Sequence, residues 1–172
     1  TAGVCGGSGA VACGDTDVCN GVEECNPQTG VCEAGTPLAC NDGDACTIDA
    51  ACDPNGGCAY ERVPNFVVCR LSSLLDLVRA TSSLDLGGRK RQALLVKRVT
   101  AARRKDQLGL IGTGSRAFLN LRRADRRIQS FMGLLQQGML RGKIESARGN
   151  QLLALAADTD SELIALMRTV VR

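Results

Sequence analysis

Ten cysteines and not one histidine set the first chemical question of this chain. Thiols set two residues apart, or beside histidines, hold zinc or attach haem; thiols at longer, regular spacing oxidise to disulfides. Here Cys5, Cys13, Cys19, Cys25, Cys32, Cys40, Cys46, Cys52, Cys58 and Cys69 are always separated by at least five residues, so no C-x-x-C pair exists. The spacing predicts a disulfide framework confined to residues 5–69, with its connectivity left open. Disulfides persist in oxidising surroundings, so a periplasmic, cell-surface or extracellular setting is expected, with a signal peptide removed before Thr1. No apolar run is long enough for a transmembrane helix.

A second group of residues offers hard oxygen ligands. Asp15 and Asp17 lie on one loop, and Asp42, Asp44, Asp49 and Asp53 on the corresponding later stretch. Calcium is the ion such carboxylates suit, although the spacing is not that of an EF-hand and turns recruit aspartate without any metal. Catalysis has little to work with. No histidine can serve as base, and no G-x-S-x-G or S-x-x-K nucleophile stands in a suitable setting. The close carboxylate pairs Asp15/Asp17, Asp42/Asp44 and Asp158/Asp160 are assigned to turns or helix ends, where acids are usually solvated. No enzymatic activity is expected, and no cofactor other than calcium.

The third group is cationic. Arg89-Lys90-Arg91, Lys97-Arg98, Arg103-Arg104-Lys105, Arg122-Arg123 and Arg126-Arg127 follow one another, while Asp106 and Asp125 are the only acids between residues 89 and 141. An ordinary solvated surface mixes both signs; this one should draw a polyanion. Base-stacking aromatics are scarce, with no Trp and a single Tyr, and no nucleic-acid-binding motif is present. Gly109, Gly112 and Gly114 before Ser115 could cradle an anion, but no strand precedes them and the P-loop lysine is missing, so they read as a link.

These residues are carried by two kinds of chain. Residues 1 to 69 hold every cysteine and proline, with ten acids against Arg62 alone, a net charge of −9. Residues 70 to 172 hold the other twenty Lys and Arg against eight acids, a net +12. Within the first part the run from Cys13 to Cys32 repeats from Cys40 to Cys58, matching four cysteines, two aspartates, a proline and a glycine. Its apolar side chains are few (Val18, Val22, Val31, Leu38, Ile48 and Tyr60), too few for a core, so disulfides must take the place of burial. Short strands, extended loops and tight turns at 26–30 and 53–57 are expected there.

After Pro64 the period becomes helical. One helix is predicted from an Asn65 cap to about residue 82, with Phe66, Cys69, Leu74, Leu77 and Val78 inward and Gly87-Gly88 as the stop. A second runs from about Arg89 to Leu108 around Leu95, Val99 and Ala102. A third, capped by Ser115, turns Phe118, Leu121, Asp125, Ile128, Phe131 or Met132, Leu135 and Met139 inward. A fourth runs from Ser146 or Asn150 to Val171, around Leu152, Ala156, Thr159, Leu163, Met167 and Val170. The fold class is thus a small disulfide-rich repeat domain (1–64, repeats at 13–32 and 40–58) joined to an all-α antiparallel bundle of three to four helices (65–172).

The stretches Cys46-Thr47-Ile48-Asp49…Cys52-Asp53-Pro54-Asn55-Gly56-Gly57-Cys58 and Cys19-Asn20-Gly21-Val22-Glu23-Glu24-Cys25-Asn26-Pro27-Gln28-Thr29-Gly30-Val31-Cys32 resemble the slime-mould type CTDC repeat and related cysteine-rich surface proteins of bacteria. The second repeat departs from that pattern by placing both Ala50 and Ala51 between Asp49 and Cys52. The resemblance covers residues 13 to 64. It implies an extracellular structural or adhesive setting and brings no catalytic residue. The expected function is that of an exported subunit of a filament, sheath or matrix, associating head to tail through an acidic head and a basic tail, with other copies of itself or with other surface proteins as partners. The alternative is a surface adhesin or binding module for an acidic polysaccharide or extracellular nucleic acid.

Overall fold

The computed structural model describes residues 13–170. Cys5 lies outside the described residues. The chain divides between Val63 and Pro64 into two compact units.

The first unit contains two antiparallel strand pairs: β1 (Glu24–Asn26) with β2 (Val31–Glu33), and β3 (Thr47–Asp49) with β4 (Tyr60–Arg62). The β1–β2 turn follows from its residues. The Asn26 side chain accepts from the amides of Gln28 and Thr29 at 2.9 and 3.2 Å, and Gly30 takes the positive φ of 68° that closes the turn. Asp53 and Gly57 repeat the arrangement, with Asp53 accepting from Asn55 and Gly56 and Gly57 at φ 76°.

Apolar burial holds almost nothing here. Cys46 is the one buried hydrophobic residue described in this unit, while Val18, Val22, Val31, Leu38, Ile48 and Tyr60 are all exposed. Disulfides replace it. Cys13 joins Cys32 and Cys40 joins Cys58, the first and last cysteine of each repeat; Cys19 joins Cys52 and so ties one repeat to the other. Cys25, Cys46 and Cys69 are disulfide-bonded as well. The sulfurs of Cys40, Cys52 and Cys58 lie within 4.8 Å of one another because two disulfides stack there, and those sulfurs are spent.

The second unit is four helices: α1 (Phe66–Ala80), α2 (Arg89–Leu110), α3 (Gly114–Leu140) and α4 (Ser146–Val170). Each packs against two others, α1 on α2 and α4, α3 on α2 and α4. The α2 segment is rich in Arg, Lys, Ala, Leu and Gln, all strong helix formers, so propensity and pattern agree. The core is Leu71, Leu74, Leu86, Leu95, Val99, Leu121, Ile128, Phe131, Leu135, Leu152 and Leu163, with smaller neighbours. No described helix is long and apolar enough to cross a membrane.

Several details correct the sequence reading. In α1 the core face is Val67, Leu71, Leu74, Leu75 and Val78; Phe66, Cys69 and Leu77 are only half-buried. In α3 the buried set is Ala117, Leu121, Ala124, Ile128, Phe131, Leu135 and Gly138, so Phe118, Asp125 and Met139 sit at the margin. Neither predicted cap bonds as expected: Asn65 precedes α1 at φ 61° without a side-chain bond, and Thr113, not Ser115, precedes α3. The α2 helix runs through Gly109 to Leu110, and α1 ends at Ala80, before Gly87-Gly88.

Candidate functional site

Five of the six aspartates proposed for calcium accept backbone amides. Asp15 Oδ1 accepts from the Asp17 amide at 2.7 Å, and Asp17 Oδ1 from the Cys19 amide at 2.9 Å. In the second repeat Asp42 and Asp44 do the same for Asp44 and Cys46, at 2.8 and 2.9 Å. Even the next side chain corresponds, with Asn20 donating to Asp15 and Thr47 to Asp42. The amide of Asp17, then the amide donor of Asn20, hold the Asp15 carboxyl below its ordinary range. Asp49 lies in β3 and Asp53 caps the following turn. Among the described residues no three carboxylates converge on one point. Asp15, Asp17, Asp42 and Asp44 thus form a pair of matching aspartate turns that lead into Cys19 and Cys46.

The cations gather instead. α2 and α3 run in opposite directions, since Gly109 approaches Leu121 while Arg91 approaches Gly138. At one end of this helix pair Lys105, Arg123, Arg126 and Arg127 line a cavity of about 450 Å³ without a single acid. At the other, Lys90, Arg91 and Arg141 share a cavity of about 360 Å³ with Leu94, Leu134 and Gln137. Arg89, Arg103, Arg104 and Arg122 lie on the same two helices.

What makes this face chemically active is the absence of compensation. The ion pairs of Arg70 with Asp158 at 3.5 Å and of Arg79 with Asp76 at 3.6 Å lie on α1 and α4, away from this face. Not one cation from Arg89 to Arg127 has an acidic partner among the described residues. The two acids on these helices turn away from them. Asp106 is fully buried, with both oxygens lacking a hydrogen-bond partner, and burial pushes its carboxyl up to about 6. Asp125 faces Asp160 of α4. Burial and then Asp125 push Asp160 up to about 6, against the opposing hydrogen bond that Gln129 Nε2 donates to it at 2.6 Å.

Sequence reading missed two of these features. Asp160 lies within α4 and is buried, rather than at a helix end; Asp158 beside it is exposed. Asp106 continues the four-three-four spacing of Leu95, Val99 and Ala102, a signal that pointed to the core despite its charge. No protein-family model, curated protein or solved structure matches this chain.

Proposed function

We propose that the chain is an exported, non-catalytic binding subunit of a cell-surface or extracellular assembly, and that its working surface is the basic α2–α3 face, which holds an acidic polymer. The stapled repeats serve as its structural head, and the helical unit, taken as an antiparallel bundle, presents the binding face. The observation that carries this reading is the uncompensated row of cations. Cations left without acids repel one another, and a polyanion relieves that repulsion while releasing its own counterions. The disulfide framework and the resemblance to CTDC-type repeats support the extracellular setting.

A second reading makes the polymer another copy's acidic head, giving head-to-tail assembly. One observation favours it: Glu24 stands directly opposite Glu33 in the β1–β2 ladder, both exposed. Like charges opposite each other weaken a strand pair unless a cation neutralises them.

Sedimentation velocity across a salt series, with and without heparin, separates the two. A monomer that sediments faster only with heparin, less so as salt rises, supports polymer binding. Concentration-dependent association of the protein alone at low salt supports assembly. A monomer indifferent to heparin refutes both.

A further inference from the structure

We infer that the α2–α3 groove is a track for a linear acidic polysaccharide, read by three cationic rungs spaced two helical turns apart. This rests on the polymer-binding reading above and names its ligand.

The rungs are Lys90-Arg91, Lys97-Arg98 and Arg104-Lys105, which recur at seven-residue intervals along α2. Seven residues advance about 10.5 Å and drift only about 20° around the axis, so all three stay on one face. Exposure repeats with them: Lys90, Lys97 and Arg104 are exposed, whereas Arg91, Arg98 and Lys105 are half-buried. The half-buried row borders α3. Arg91 lies so close to Gly138 that a Cβ there would stand 2.7 Å from its Nη1, and Lys105 shares its cavity with three α3 arginines. Arg98 is the middle rung, and its Nε is buried with no acceptor. Arg141 adds charge opposite the first rung, and Arg123 and Arg127 opposite the last. The two end cavities are separated by fourteen residues of α2, about 21 Å.

That geometry selects among polyanions. Phosphates along one strand of a duplex recur about every 3.4 Å, so rungs about 10.5 Å apart would meet only about every third phosphate and leave the others uncompensated. The helical unit contains no Trp or Tyr on which bases could stack; of its three Phe, Phe131 is buried, and the half-buried Phe66 and Phe118 line neither end cavity. A polysaccharide charged once in every couple of sugar rings meets the rungs better. Both end cavities have the volume of a small-molecule site, and Leu94 and Leu134 offer an apolar wall to the C–H face of a ring. Arginine's fork takes sulfate or carboxylate substituents alike.

The test titrates the full disulfide-bonded chain with size-defined hyaluronan oligosaccharides, which carry one carboxylate per two sugar rings, and with an oligothymidine of matched charge. Affinity should climb with oligosaccharide length until the chain spans about 21 Å, then level off, and the oligothymidine should bind more weakly. Charge reversal of the middle rung (Arg98→Glu) should lower affinity about tenfold, Arg98→Lys should restore most of it, and Arg168→Glu on α4 should change little. Circular dichroism confirms that each variant is folded; if Arg98→Glu unfolds, Lys97→Glu on the exposed side of the same rung replaces it. Equal losses from Arg168→Glu and the rung variants would overturn the track while leaving diffuse polymer binding intact. Oligothymidine binding as tight as the oligosaccharide would overturn the ligand class. No binding to either polymer would overturn the parent reading too.

Discussion

Asp106 occupies a core position of α2 with neither oxygen hydrogen-bonded. Keeping that carboxyl ionised at neutral pH opposes folding by about 2–3 kcal/mol, from its rise from 3.8 to about 6. The sign is fixed by linkage: a group whose folded pKa is raised binds its proton more tightly in the native state, so it stabilises below its unfolded value, and that contribution is lost as pH rises through about 6. Asp160 acts in the same direction and window. Denaturant melts of the helical signal should therefore show greater stability at pH 5 than at pH 7. Asp106→Leu should raise neutral-pH stability by about 1–3 kcal/mol and flatten this dependence; a destabilised variant would mean that the carboxyl has a partner in solution. The aspartates of the repeats behave differently, because their oxygens cap amides. Chelation with EDTA should leave the thermal transition unmoved, and a drop in its midpoint would restore calcium as a ligand. Sequence alone left those aspartates open between calcium and turns, since both uses want the same residues on the same loops. The amides that Asp15, Asp17, Asp42 and Asp44 meet support the turn use, and chelation tests the other.

At the scale of elements the two units rest on different physics. The helical unit has a continuous apolar core, whereas the repeats depend on covalent staples. Reductant should abolish the native disulfide-dependent structure of residues 13–63 while the helical signal persists, fraying only near Cys69 in the first turn of α1. Helicity lost in step with thiol release would contradict that independence. Among the staples, Cys19–Cys52 spans 33 residues against 19 and 18 for Cys13–Cys32 and Cys40–Cys58. Loop-closure entropy makes its removal costlier by about 0.5 kcal/mol. Peptide mapping under non-reducing conditions should recover all three pairs, and a cross-link between Cys13 and Cys19 would contradict them. The repeat was legible because cysteine spacing is a one-dimensional signal; pairing was not, because spacing alone does not say which sulfurs meet. The helices were legible through their period, but their faces shifted wherever an alanine or glycine, such as Ala117, Ala124 or Gly138, took the contact that a larger neighbour was expected to make. Helix–helix contact needs small residues where backbones approach, and hydrophobicity ranks them too low. A Gly138→Ala change should therefore displace Arg91 and Ile144 and cost about 1–3 kcal/mol in a denaturant melt.

For the whole molecule, charge is the organising quantity: residues 1 to 69 carry a net −9 and residues 70 to 172 a net +12. The sequence alone showed that asymmetry, and it also showed the seven-residue recurrence of basic pairs, although nothing in it said that these pairs border a groove. The packing of α2 on α3 supplies that. Charge in solution acts within a Debye length of about 8 Å at physiological salt, so rungs about 10.5 Å apart act as nearly separate sites. The most direct measurement is a heteronuclear NMR titration of the intact, disulfide-bonded chain with a hyaluronan oligosaccharide, following every backbone amide. Binding on the proposed face predicts shifts concentrated around Arg91, Arg98 and Lys105 of α2 and around Arg123, Arg127 and Arg141 across the groove, diminishing as salt rises. Shifts centred on the cysteine-rich repeats or on α4, or no shifts at all, would contradict it.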